Sequence, residues 1–284
     1  MIPQTFDYTA PATLDQALAL IAQGAKPLAG GMSLIPMMKL RLAAPEHLVD
    51  IGRLKELNYI REDAGALHLG AGCTHYEVET SPLLRGKCPL LSETAAHIGD
   101  VQVRNMGTIG GSIAHADPSA DYPAALQALE AKIVLRGAQS QRTVAASAFF
   151  LDTFATALEP GEIVSEIIVP VEEAGAGASY QKMAQPASGF AIVGVAARLR
   201  RSGGKIAMAR IGVTGLAGRS FRATAAEKAL ENTAGSAAEI QAAAALVAQG
   251  VEANSDLHAS AEYRKHLAAV YAGRALFAAL ARTA

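Results

Sequence analysis

Leu28-Ala29-Gly30-Gly31-Met32-Ser33 and Thr108-Ile109-Gly110-Gly111-Ser112 are two loops of the same chemistry in the first half of a 284-residue chain. Each places two adjacent glycines and a serine in apolar surroundings. Adjacent glycines admit positive φ and remove the Cβ that would keep a ligand away from the backbone. Successive backbone N–H groups then form a concave anion site. One such loop reads as a tight turn. Two of them, each read as leaving a strand and carrying a hydroxyl donor, read as a grip on one ligand with two phosphates, or on one long ligand held twice.

Around the first loop, Thr13 to Ala22 has the spacing of an amphipathic helix with Thr13 as N-cap, and Lys26-Pro27-Leu28-Ala29 is a short strand. Ser33 to Leu42, Leu34 included, reads as a helix or turn with Pro36 near its first turn, and His47 to Ile51 is a strand. A hairpin follows over Leu57–Arg61 and Ala66–Ala71, then helices from Thr74 or His75 and over Leu90–Ile98. Gln102-Val103-Arg104-Asn105 leads into the second loop. Tyr122 to Ala131 is a helix with Asp121 at its N-cap and Pro123 in its first turn. Pro170 to Ser179, rich in Pro, Gly and Glu, reads as a hinge between two domains. Strand signals over Ser179–Met183, Phe190–Arg200 and Lys205–Thr214 precede helical spacing over Ala223–Asn232, Ala237–Gln249 and Ala261–Ala281. In the last, Tyr263, Leu267, Val270, Leu276 and Leu280 share one side. The fold class is α+β.

Hydrophobic residues make up 51% and charged residues 18%, enough apolar material for a sizeable core. The net charge of -1 and the absence of Trp argue against nucleic acid or an anionic membrane surface as partner. Cys73 and Cys88 form no CxxC pair and suit a reducing cytoplasm. Two thiolates are too few for an iron–sulfur cluster, which takes about four ligands. The N-terminal Met1 to Asp7 carries neither the basic nor the apolar region of a signal peptide, and no apolar run reaches the roughly 18 residues of a membrane span.

Neither loop belongs to a GxGxxG dinucleotide fingerprint, because Gly70-Ala71-Gly72 has His75 where a third glycine would stand. No GxxxxGK[ST] phosphate loop and no GxSxG elbow occurs. His115, Asp117 and Asp121 lack a further ligand at metal-site spacing, so turn and cap roles suit the two aspartates better. The functional reading of Asp121 is an acceptor for ligand hydroxyls beyond the second loop. Lys182 stands in a strand where lysine is disfavoured unless exposed or paired, and there it is either an edge residue or a cation beside an anionic cofactor. A chain that grips a nucleotide-like ligand without acid, base or nucleophile points to redox work, in which the cofactor carries the chemistry.

Two stretches, Ala29 to Arg41 (AGGMSLIPMMKLR) and Gln102 to Pro118 (QVRNMGTIGGSIAHADP), together with Ser260-Ala261-Glu262-Tyr263-Arg264-Lys265-His266-Leu267-Ala268, resemble the FAD-binding medium subunit of molybdenum hydroxylases, the family of the carbon monoxide dehydrogenase flavoprotein and of xanthine dehydrogenase. The resemblance spans nearly the whole chain. It implies a PCMH-type FAD-binding domain over residues 1–174, in subdomains of about 1–57 and 58–174, and a C-terminal domain over 175–284 of a small antiparallel sheet plus helices. It implies that both loops hold the FAD pyrophosphate through backbone N–H groups. By position, Asp117 and Asp121 would contact the FAD chain and Lys182 would lie near the flavin. Phe190 would stand over the isoalloxazine, and Ser165 or its neighbour Val164 would lie close to the cofactor. Met32 replaces the His or Gln often found in the first loop, which leaves a backbone role there. Molybdopterin and two [2Fe–2S] clusters are expected on a large and a small partner subunit, in a dimer of heterotrimers that passes electrons to an external acceptor. Two alternatives keep the loops: a free-standing FAD oxidase of the same fold, and a non-catalytic nucleotide-binding module.

Overall fold

The structure, a computed structural model, describes residues 2–283, so Met1 of the N-terminal segment and the last residue lie outside it. The chain opens with β1 (Asp7–Thr9), α1 (Leu14–Ala22), β2 (Lys26–Leu28), α2 (Leu34–Lys39) and β3 (His47–Asp50). These strands form a parallel sheet in the order β1-β3-β2. Thr13 caps α1 by accepting from the Gln16 N–H, and Leu14, Ala17, Leu18 and Ile21 pack on Val49, Leu54 and Leu57.

A second unit begins with β4 (Ile60–Asp63) and β5 (Ala66–Gly70), then α3 (His75–Thr80), α4 (Pro82–Lys87), α5 (Pro89–Ala96), α6 (Val101–Met106), α7 (Ile109–His115) and α8 (Tyr122–Ala128). It closes with β6 (Lys132–Arg136), β7 (Gln141–Ala145), α9 (Ala146–Phe149), β8 (Phe150–Asp152), β9 (Ala155–Thr156) and β10 (Ile163–Pro170). Its main sheet is antiparallel in the order β4-β5-β10-β6-β7. The third unit is an antiparallel sheet of β11 (Ala176–Ala184), β12 (Ala191–Ser202), β13 (Lys205–Thr214) and β14 (Phe221–Arg222), covered by α10 (Thr224–Leu230), α11 (Ala237–Ala245) and α12 (Ala261–Ala281).

Residues 100–106 differ from the strand-like approach expected of them. They are helix α6, because the Asp100 carboxylate accepts from the Val103 N–H and caps the turn. The second glycine loop therefore leaves a helix, and a single antiparallel bridge, Thr74 to Thr108, is its only β pairing among the described residues.

The segment after Pro170 is no free hinge. Both Glu172 carboxylate oxygens accept from Arg198 Nε on β12, at 3.0 and 2.9 Å, and the Glu172 N–H donates to the Lys87 carbonyl at 2.8 Å. Ala178, Tyr180 and Ala196 from the third unit lie in the same apolar cluster as Leu90, Tyr122 and Ile167 of the second. Helix α8 lies between the two units, which is why all seven of its residues are buried. Gly212 on β13 lets it approach: a Cβ there would sit 2.8 Å from the Ala124 carbonyl carbon and 3.0 Å from Gln127 Cβ. Gly212→Ala must push α8 off the sheet, and overpacking of this kind costs about 1–3 kcal/mol. The expected result is a lowered Tm by calorimetry. An unchanged Tm would mean that α8 does not rest on β13.

The buried face of α12 also departs from its expected stripe. It consists of Arg264, Leu267, Ala268, Ala272, Ala275, Leu276 and Ala279, while Tyr263 is 45% exposed. Alanines bring the helix close to β11 and β12, where a longer stripe of leucines would hold it away.

Candidate functional site

The two glycine loops meet. Gly30 lies so close to the backbone of the second loop that a Cβ would stand 2.6 Å from the Met106 carbonyl carbon and 2.8 Å from Gly107 Cα. The second loop is held from behind by the chain leaving β5: the Ile109 N–H donates to the Cys73 carbonyl, the Gly110 N–H to that of Ala71, and the His75 N–H to that of Gly107, each at 2.9 Å. Ala71 in turn donates to the Ser165 carbonyl at 3.0 Å, at the bulge in β10. Ser165 thus supports the loop from beneath, with its own hydroxyl donating to the Val134 carbonyl at 3.2 Å.

The donor pattern is asymmetric. No backbone N–H from Ala29 to Leu34 finds an acceptor among the described residues. Gly31 has φ +72°, a left-handed conformation of the kind found in anion-binding backbone nests. In the second loop the N–H groups of Ile109, Gly110, Gly111 and Ser112 are all engaged, the last two by Thr108 Oγ1 at 3.1 Å and the Thr108 carbonyl at 3.0 Å. This differs from the expected use of backbone N–H groups in both loops. The second loop offers instead the hydroxyls of Thr108 and Ser112, which donate to no protein acceptor among the described residues, and the exposed face of Gly111. A Cβ on Gly111 would stand 3.9 Å from Ala29 Cβ, across the gap between the loops. A row of unpaired N–H groups on one side and free hydroxyls on the other fits the phosphates of a dinucleotide. Leu28 and Ile109 contribute no polar side chain. Met32 is 39% exposed, and Ser33 and Leu34 are half-buried at the start of α2.

Helix α7 links this cradle to a second cluster. Asp117 closes its own turn by accepting from the Ser119 N–H at 2.8 Å. Asp121 heads α8, but its carboxylate caps no helix N–H. It is 3% exposed and is held by Tyr180, whose hydroxyl donates to Oδ1 at 2.5 Å, and by Lys182 Nζ at 3.0 Å. Burial pushes the Asp121 carboxyl up to about 6, against the lowering influence of Lys182 and of the Tyr180 hydroxyl. Burial likewise raises Tyr180, so its phenol stays a donor at neutral pH. Lys182 is buried, not an exposed edge residue: Nζ also donates to the carbonyls of His97 at 2.7 Å and Gly189 at 2.6 Å. It thereby anchors the turn that carries Phe190, a residue 43% exposed. Beside Phe190 is a cavity of about 180 Å³ lined by Asp117, Ser119, Gln185, His258 and Arg264 among others.

Three side chains that build this region were not singled out for it in the sequence: Tyr180, Arg264 and His75. His75 is buried, and the loss of water with the nearby Arg104 charge pushes its pKa down to about 4, so it is neutral at pH 7. The available signal was local. Thr74 and Glu77 form a capping box that fixes α3 and turns His75 towards Gly107, where a Cβ would meet its Nε2 at 2.6 Å.

Residues 4–172 match the family model described as FAD binding domain in molybdopterin dehydrogenase, and residues 178–279 match the CO dehydrogenase flavoprotein C-terminal domain. The chain is 42% identical to the carbon monoxide dehydrogenase medium chain of Hydrogenophaga pseudoflava, with 100% of both chains covered. It is 36% identical to the glyceraldehyde dehydrogenase medium chain of Sulfolobus acidocaldarius, over 95% of this chain and 96% of that one. Among solved structures, carbon monoxide dehydrogenase from Hydrogenophaga pseudoflava superposes with a TM-score of 0.97 at 45% identity and full coverage of both chains. Quinoline 2-oxidoreductase from Pseudomonas putida 86 gives 0.94 at 33% identity over 99% of each. With both domains matched and the two glycine loops in contact, the chain belongs to the FAD-binding medium subunits of the molybdenum hydroxylases, the family that contains the carbon monoxide dehydrogenase flavoproteins.

Proposed function

We propose that this chain is the electron-transferring flavoprotein subunit of a molybdenum hydroxylase complex. It takes electrons from [2Fe–2S] clusters on a small partner subunit and delivers them to an external acceptor. A large molybdopterin subunit carries out the hydroxylation, and the complex is a cytoplasmic dimer of heterotrimers. The observation that carries the reading is the run of unpaired N–H groups from Ala29 to Leu34 in a loop that touches the second loop, where the hydroxyls of Thr108 and Ser112 donate to no protein acceptor among the described residues. Ala29, Gly30, Gly31, Met32 and Ser33 would hold the pyrophosphate with Thr108, Gly111 and Ser112. Phe190 would lie against the flavin, with Lys182 anchoring its turn. Bound there, the flavin supplies reversible uptake and release of electrons. The protein contributes placement, and no histidine or carboxylate of the loops is needed for proton transfer.

A visible spectrum of the full chain, with and without added FAD and before and after dithionite, tests this. The expected result is flavin bands at about one FAD per chain that bleach on reduction. Absence of flavin from the chain and from a complex purified by a tag on it would overturn the reading. Co-purification with iron–sulfur and molybdenum-containing chains tests the partner assignment.

A further inference from the structure

We infer that Arg264 is a positioning residue for Phe190, and that the Ser260–Ala268 stretch holds the flavin-facing aromatic through it. The inference rests on the proposed reading that Phe190 faces the flavin. Arg264 lies in the first turns of α12 and is 3% exposed. Its Nη1 donates to the Ile192 carbonyl at 2.5 Å and to the Gly215 carbonyl at 2.8 Å, and its Nη2 donates to Asp256 Oδ2 at 2.6 Å. One guanidinium therefore joins the start of β12, the end of β13 and the segment before α12. The acceptors are reached from two nitrogens of one plane, Nη1 and Nη2, whereas a lysine can serve several acceptors only where they gather around a single Nζ, as they do at Lys182.

The acceptors are those that fix Phe190. Ile192 is two residues beyond it. Between them, the Ala191 N–H donates to the Ser119 carbonyl at 3.1 Å, and the Gly215 N–H donates to the Pro118 carbonyl at 2.8 Å. Thr214 Oγ1 adds donation towards the Pro118 and Ala120 carbonyls, at 2.8 and 2.7 Å. Gly215 adopts φ +78°, and its approach is so close that a Cβ would stand 2.7 Å from the Ala191 carbonyl oxygen. The Pro118–Ala120 turn, which leads from α7 to Asp121, is thus locked to the base of Phe190, and Arg264 closes the lock from the far side. The result is an exposed ring on a fixed backbone. Arg264 contacts no reacting group itself.

The test compares Arg264→Ala, Arg264→Lys, Asp256→Asn and Phe190→Ala in the full chain, with two readouts. The first is amide hydrogen exchange without FAD. Arg264→Ala speeds exchange at Ala191 and Gly215 by roughly tenfold or more, while amides of β10 such as Ile167 keep their rates. Asp256→Asn gives a smaller change at the same amides and covers the case in which Arg264→Ala does not fold. The second readout is flavin fluorescence of the FAD-loaded chain. Loss of the aromatic in Phe190→Ala raises emission. Arg264→Ala raises it in the same direction, and the double variant goes no further than Phe190→Ala alone. Arg264→Lys keeps the charge but not the fork, so it behaves like Arg264→Ala. Unchanged exchange at Ala191 and Gly215, or restoration of both readouts by Arg264→Lys, overturns the inference. Emission unchanged in Phe190→Ala overturns the placement of Phe190 against the flavin, separately from the exchange result.

Discussion

Gly30→Ala abolishes the approach of the two loops, and with it tight FAD binding. The added methyl meets the Met106–Gly107 backbone, with the Met106 carbonyl carbon at 2.6 Å and Gly107 Cα at 2.8 Å. Neither atom can rotate aside as a side-chain end would. Gly107 is itself pinned, because its carbonyl accepts from the His75 N–H and its Cα faces the buried imidazole. The first loop must therefore retreat. A displacement worth about 3 kcal/mol weakens binding by roughly a hundredfold. Gly30→Val leaves no measurable flavin in the purified chain.

Gly111→Ala is the control that separates docking of the loops from filling of the gap. Its methyl stands at 3.9 Å from Ala29 Cβ and at 2.9 Å from Thr108 Oγ1, a hydroxyl on a rotatable side chain. The loops stay together and the chain loses no more than the Thr108 cap on α7, about 1 kcal/mol, yet FAD binding weakens because the methyl occupies the space between them. Titration of FAD into each variant, with calorimetry alongside, gives both numbers. If Gly30→Ala binds FAD as the parent does, the loops do not meet at Gly30.

The parts of the site that could be read from the sequence are those set by local chemistry. Gly30-Gly31 and Gly110-Gly111 announce themselves because no other residue tolerates such backbone proximity, and Lys182 is conspicuous as a lysine inside a strand. Helix α12 has the bounds its spacing predicts, Ala261–Ala281. What could not be read is what each residue meets across the fold. Asp121 before Tyr122-Pro123 has the local signature of a cap, but two donors on β11, Tyr180 and Lys182, claim its carboxylate. Gln102 to Asn105 has strand-like composition, and one capping bond from Asp100 decides for helix. The second loop looks like a row of free N–H donors until the carbonyls of Ala71 and Cys73, from the end of β5, are placed behind it. Arg264 is an ordinary helix residue in sequence, and it gains its role only from carbonyls on two other strands.

Lys182→Met destabilises the chain by an amount that grows with pH. In the parent, burial holds the Asp121 carboxyl at about 6 against an ordinary 3.8. A carboxyl raised on folding gives its full contribution to stability below the unfolded value, and that contribution is lost as pH rises through the folded one. For Asp121 the decline runs between about pH 4 and pH 6 and stops there, because above pH 6 the carboxyl is ionised in both states, and Lys182, by pairing with the carboxylate, keeps the folded value from lying higher. Without Lys182 the carboxyl rises further, so the decline continues past pH 6 while the parent stays level. At pH 5 the variant loses mainly the hydrogen bonds to the His97 and Gly189 carbonyls, worth about 1.5–3 kcal/mol each from a charged donor. At pH 8 it also strands a buried carboxylate, and breaking a buried pair from one side costs about 3–5 kcal/mol. Urea unfolding at pH 5 and pH 8 measures the difference. Asp121→Asn in the Lys182→Met background recovers stability at pH 8 and not at pH 5, since it removes the stranded charge and leaves the two carbonyls unpaired. An equal cost of Lys182→Met at both pH values would mean that the carboxylate does not depend on this lysine. The coupling also bears on function, because the same ammonium holds Gly189, the residue before Phe190. Variants that are least stable at high pH are therefore expected to lose their flavin there first, as the turn bearing the aromatic is released before the phosphate cradle opens.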